Sequence, residues 1–116
     1  MPLGVWVAVA LGGAVGAGLR HLVTAGPWGA LRGVFAVNTV GALALGVLVA
    51  SADSLSPGWF AALGTGVCGA FTTYSTLAVQ VWELLHEKRT HALGYLLVTT
   101  GSGGLAALVP LLLWGH

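Results

Sequence analysis

The chain has 116 residues, 57% of them apolar and only 6% charged, with a formal net charge of +1. Water-facing domains carry about a quarter charged residues, so this composition excludes a soluble domain and points to an integral membrane protein. Near-neutral charge without a basic patch also excludes a nucleic-acid partner. The lone cysteine, Cys68, rules out an intrachain disulfide and reads as a small packing residue among apolar neighbours. The histidines His21, His86, His91 and His116 stand near segment ends, at no metal-ligand spacing.

About 20 apolar residues cross a bilayer as a helix. In chain order four stretches fit, at about 3–23, 31–50, 57–85 and 91–114. The links between them are short, and no further domain or tail is left over. The first run lacks a basic leader and exceeds a signal-peptide core, so it reads as a retained helix. Within it Gly12, Gly16 and Arg20 recur at i, i+4 and i+8 and share one face. The Gly12-xxx-Gly16 spacing lets helices approach closely. Four short helices have little interior of their own, so this face, and a second at Gly101, Gly103 and Gly104, are expected to pack against a second subunit. Arg20 has two readings: it snorkels to the interface, or it faces inward as a positive charge for an anion.

In the second span Asn38 places an amide in hydrocarbon, where it must find hydrogen bonds. It is either glue between helices or a pair of uncharged donors for a passing anion.

The third span starts at Ser56-Pro57, a hydroxyl N-cap before proline at the first helical position. It is longer than a straight helix needs. Its middle carries Gly66 and Gly69, then five consecutive hydroxyls: Thr72, Thr73, Tyr74, Ser75 and Thr76. At membrane depth, loosened backbone and clustered hydroxyls persist only inside protein or along a path for something polar. The backbone is expected to unwind over Gly69–Thr72 and free carbonyls that a small cation would satisfy. Thr72, Ser75 and Thr76 are expected to share a face. In the fourth span Tyr95 and Thr99, one turn apart, begin a second hydroxyl stripe.

Trp6, Trp28, Trp59, Trp82 and Trp114 fall at the span ends, as indoles prefer the headgroup zone. With four crossings, Arg20, Arg32, Lys88 and Arg89 fall opposite both termini and Asp53, on the side that the positive-inside rule makes cytoplasmic. No phosphate loop, H-E-x-x-H pair or G-x-S-x-G elbow occurs, and no acid sits inside a span to orient a base. An enzyme is not expected.

Three motifs carry a resemblance over nearly the whole chain: Gly12-Gly13-Ala14-Val15-Gly16-Ala17-Gly18-Leu19-Arg20, then Val37-Asn38-Thr39-Val40-Gly41, then Gly69-Ala70-Phe71-Thr72-Thr73-Tyr74-Ser75-Thr76. In this order they resemble the Fluc/CrcB fluoride channels. The resemblance implies an all-α fold of four transmembrane helices, the third broken mid-membrane. It also implies an antiparallel, dual-topology homodimer in the cell (inner) membrane, surrounded by lipid, with fluoride pores along the subunit interface. Fluoride would leave passively down its electrochemical gradient, conferring fluoride resistance. A structural sodium ion at the dimer centre would be held by backbone carbonyls, which motif position assigns to Gly69 and Thr72. The resemblance places Asn38 and Arg20 on the pore, Tyr74 and Leu77 at its two aromatic positions, and Ser75, Thr76, Tyr95 and Thr99 on its hydroxyl track.

The chain departs from that pattern at several positions. Tyr74 replaces the usual phenylalanine, Leu77 has no ring to turn edge-on to fluoride, Ala70 replaces a common second glycine, and Gly103 stands where a serine extends the track. One-sided basic residues also sit awkwardly with antiparallel subunits. The alternative is a small multidrug-type proton-coupled exporter, of similar size and span count. Such an exporter needs a membrane-embedded carboxylate, and the first helix carries Arg20 in place of one. A passive assembly subunit would explain the glycines but not the hydroxyl run.

Overall fold

The computed structural model describes residues 3–114, apart from the side chains of Ser75 and Trp114; His116 lies outside that range. Every regular element among the described residues is helical. In chain order these are α1 (Leu3–Thr24), α2 (Ala30–Ala50), a 3-10 turn (Ala52–Ser54), α3 (Pro57–Ala61), a π-helical segment (Ala62–Cys68), α4 (Gly69–Phe71), α5 (Ser75–Glu87) and α6 (Arg89–Trp114). Three helices, α1, α2 and α6, are long and apolar enough to cross a membrane. Their large apolar side chains face outward, Leu11, Leu97 and Leu112 among them, as a lipid-solvated surface requires. The chain is a multi-pass membrane protein.

Ser56 caps α3 as its spacing predicts: its Oγ accepts the Trp59 N–H at 3.3 Å, with Pro57 at the first helical position. The charged link expected at 86–90 contracts to Lys88 alone. Glu, Lys and Arg are good helix formers, so helix continues past the point where hydropathy ends.

α1 packs mainly on the π segment and on α4. Gly12 and Gly16 are buried in that contact, and a β-carbon on either would overlap the carbonyl of Ala62 or of Val67. This corrects the expectation that the first-helix glycines meet a second subunit. They seat α1 backbone-to-backbone against its own chain, the close approach that small residues permit. The fourth-helix glycines divide: Gly103 faces Ala42 of α2, while Gly101 and Gly104 meet nothing within 4 Å.

α2 packs chiefly on α6. Leu31 meets Tyr95, Ala42 meets Gly103 and Gly46 abuts Ala107, so the two helices run parallel. Val34, Val37, Ala92 and Pro110 supply the buried packing of this seam and its surroundings.

Between Phe71 and Ser75 the helix stops. Thr72 is extended, with φ −77° and ψ 158°, and α5 starts three residues later. The interruption therefore falls at 72–74 instead of 69–72, and Gly69 remains helical. Thr72 consequently precedes the new helix and cannot share a helical face with Ser75 and Thr76.

Candidate functional site

A single side chain from α2 fixes the interruption. Asn38 donates from Nδ2 to the Thr73 carbonyl at 3.0 Å and accepts the Thr73 N–H on Oδ1 at 2.8 Å. An amide carries a donor and an acceptor side by side, so it can match both backbone groups of one residue at once. Of the two readings of Asn38, the glue reading describes these contacts. One of its two N–H donors stays outside them.

The clamp redirects hydrogen bonds on either side. In an unbroken α-helix the Thr73 N–H would bond to the Gly69 carbonyl, and the Thr76 N–H to the Thr72 carbonyl. Here the first goes to Asn38, and the second goes to Thr73 Oγ1 at 3.3 Å, which caps the start of α5. Gly69 and Thr72 thus lose the donors due to their carbonyls. Thr72 keeps its own side chain on the Cys68 carbonyl at 3.0 Å.

A second polar cluster joins three helices. The Tyr95 hydroxyl lies 2.7 Å from Gln80 Oε1 and 3.1 Å from the Leu31 carbonyl. A phenol has one proton, so it satisfies both partners when it donates to Leu31 and the Gln80 amide turns its NH2 group toward it. Gln80 is buried, and sequence reasoning passed over it. Thr76, four residues earlier, is exposed and Thr73 precedes α5, so helical spacing alone does not place Gln80 on an inner face.

The remaining sequence-predicted residues divide between outside and inside. Tyr74 is 84% exposed, and together with Leu77 it lines a shallow apolar pocket completed by Trp82 and Leu96. Thr76 is exposed as well, whereas Thr99 is buried. Arg20 is half-buried near the end of α1, its carbonyl capped by the Thr24 hydroxyl at 2.9 Å. A single subunit therefore gathers Asn38 with Thr73 and Tyr95 with Gln80, but leaves Tyr74 and Thr76 on an open face. Among the described residues no cluster of His, Cys, Asp and Glu has metal-binding geometry.

The family model for CrcB-like proteins, described as Camphor Resistance (CrcB), matches residues 7–111, from the first turns of α1 to the last turn of α6. The chain belongs to the CrcB-like family. Among CrcB-like relatives, the chain is 47% identical to "Fluoride-specific ion channel FluC 2" of Halobacterium salinarum, over 80% of each chain. It is 46% identical to a protein of the same name from Rhodococcus jostii, over 85% of this chain and 88% of the relative. It is 34% identical to "Fluoride-specific ion channel FluC" of Erythrobacter litoralis, over 93% and 89%. The CrcB-like match spans the Asn38 clamp, the interruption and Tyr95 alike, so the whole polar framework belongs to the matched region.

Proposed function

We infer that this chain is a fluoride channel, passing fluoride down its electrochemical gradient across the cell membrane and so conferring resistance to the ion. It does no covalent chemistry. The names of its relatives support the ion, and the site supplies the physical reason. Fluoride is small and strongly hydrated, so a pore must replace the water it sheds with donors. The free N–H of Asn38 and the hydroxyls of Thr76 and Thr99, with Ser75 next to Thr76 in sequence, provide donors without a fixed countercharge that would trap the ion. Tyr95 lies on the same track with its proton on the Leu31 carbonyl. Arg20 adds positive potential, and Tyr74 presents the positive edge of a ring. Leu77 contributes shape alone.

The observation that carries the reading is the clamped interruption at 72–74, which lies within the run 57–87. That run makes the third of four membrane crossings, broken near mid-membrane. Freed carbonyls at that depth need a cation or another donor. Backbone oxygen suits a hard ion such as sodium, and the freed carbonyls of Gly69 and Thr72 fit that chemistry. Two subunits would contribute both carbonyls each, and a bound sodium ion would supply fixed positive charge at the dimer centre.

A second copy also explains the open face. Tyr74 has a phenol with no cover, and Gly101 and Gly104 leave room for close approach. The assembly we propose is an antiparallel homodimer. In intact cells a membrane-impermeant maleimide should label Asp53→Cys, in a Cys68→Ala background, on about half the chains; complete or zero labelling from outside overturns dual topology.

The test of function is flux from liposomes containing the purified protein. Fluoride should leave and chloride should stay, with neither ATP nor a proton gradient present. Equal release of the two ions overturns selectivity, and dependence on a proton gradient reinstates the exporter.

A further inference from the structure

A groove on the α2–α6 pair opens at the end where both helices begin. It encloses about 320 Å³ and is lined by Leu31, Arg32 and Phe35 of α2 and by Gly94, Tyr95 and Val98 of α6. Arg32 and Phe35 stand one turn apart on α2, and Gly94 and Val98 one turn apart on α6, so each helix supplies one wall. The Tyr95 hydroxyl is held on Leu31 and Gln80, which leaves its ring to the groove. A β-carbon on Gly94 would meet nothing within 4 Å, so the absence of a side chain there keeps the groove open.

The groove is apolar below Arg32, and the charge around its mouth is mainly positive. Arg32 is exposed. His91 lies one turn before Gly94 and Tyr95 on the same stripe of α6, and Arg89 starts that helix. Because α2 and α6 run parallel, the positive ends of both helix dipoles also point to this end. Gly29 gives the first N–H groups of α2 no side-chain cap. Arg20, Arg32, Lys88 and Arg89 stand at this end against the two acids Glu83 and Glu87 of α5. Two exposed indoles mark its depth, Trp28 four residues before Arg32 and Trp82 on α5, since tryptophan prefers the headgroup level.

We propose that this groove holds an anionic phospholipid, its phosphate on Arg32 and one acyl chain lying along Phe35, Gly94 and Val98. A positive mouth at headgroup depth with an apolar interior beneath it repeats the order of groups along a lipid. A guanidinium suits the phosphate, which it can bond with two N–H groups at once. A free anion would leave Phe35 and Val98 uncovered. One turn of a neighbouring helix, about 10 Å wide and 5.4 Å long, occupies roughly 420 Å³, more than the groove encloses. The inference needs only that the chain spans the membrane, and it stands whichever ion the chain carries.

Native mass spectrometry of the purified protein, titrated with phosphatidylglycerol or phosphatidylcholine, tests it. Phosphatidylglycerol should bind about tenfold more tightly, the scale of a hydrogen bond between charged groups. Arg32→Gln should abolish that preference, and Arg32→Lys should keep part of it, because a point charge replaces the fork. Gly94→Leu should weaken both lipids by filling the groove, while the melting temperature in detergent and the mass of the assembled particle hold. Equal binding of the two lipids, or an unchanged preference in Arg32→Gln, overturns the site. Displacement of the lipid by millimolar inorganic phosphate makes it a free-anion site, and dissociation of the particle in Gly94→Leu gives the groove to a second copy. Either result overturns the lipid.

Discussion

Replacing Asn38 with aspartate is expected to abolish fluoride release while the variant still purifies as one monodisperse species. The carboxylate still accepts the Thr73 N–H but has no proton for the Thr73 carbonyl, so one half of the clamp at 3.0 Å is lost. The larger effect is on the ion. Two like unit charges about 4 Å apart repel by roughly 4 kcal/mol at an effective dielectric of 20, which corresponds to about a thousandfold in rate. Fluoride release within about twofold of the unaltered protein at neutral pH would confine Asn38 to holding the backbone.

The second large effect concerns folding. Gly16→Val should prevent α1 from seating on the π segment, because the new side chain meets the Val67 carbonyl and Cα, backbone that cannot rotate aside. Forcing extra atoms into a packed contact costs about 1–3 kcal/mol and more when the obstacle is backbone. The variant should melt well below the unaltered protein or fail to purify as one species. Gly18 offers the matched comparison on the same helix: nothing lies within 4 Å of its missing β-carbon, so Gly18→Ala should hold or slightly raise the melting temperature. Equal melting of Gly16→Val and the unaltered protein would show that the α1 contact is looser than the structure draws it.

Much of the architecture was legible because hydrocarbon imposes simple rules. Apolar length placed α1, α2 and α6 to within a residue or two, and Ser56-Pro57 marked the start of α3. The interruption was legible in kind, from hydroxyls that follow glycines, but not in position. Glycine at 69 looked like the weak point, yet the turn comes where Thr73 finds a partner 35 residues away on another helix. Propensity acts locally, and a long-range pair outweighs it. The same limit explains the first-helix glycines. A small-residue face announces close approach but not whose backbone approaches, and here it is the chain's own π segment. Gln80 was hidden for a different reason: one amide between two valines reads as an oddity until Tyr95 is seen across the α5–α6 contact.

Thr73 has all three of its polar groups engaged inside one subunit: N–H and C=O on Asn38, and hydroxyl on the Thr76 N–H. The chain direction is thus broken and recaptured before any second copy or cation arrives. The interruption is preorganised, so the cation proposed above would not have to unwind helix in order to bind. In the proposed assembly, finished halves would meet late and the ion would seal carbonyls already freed, so that the fold of each half does not wait for it.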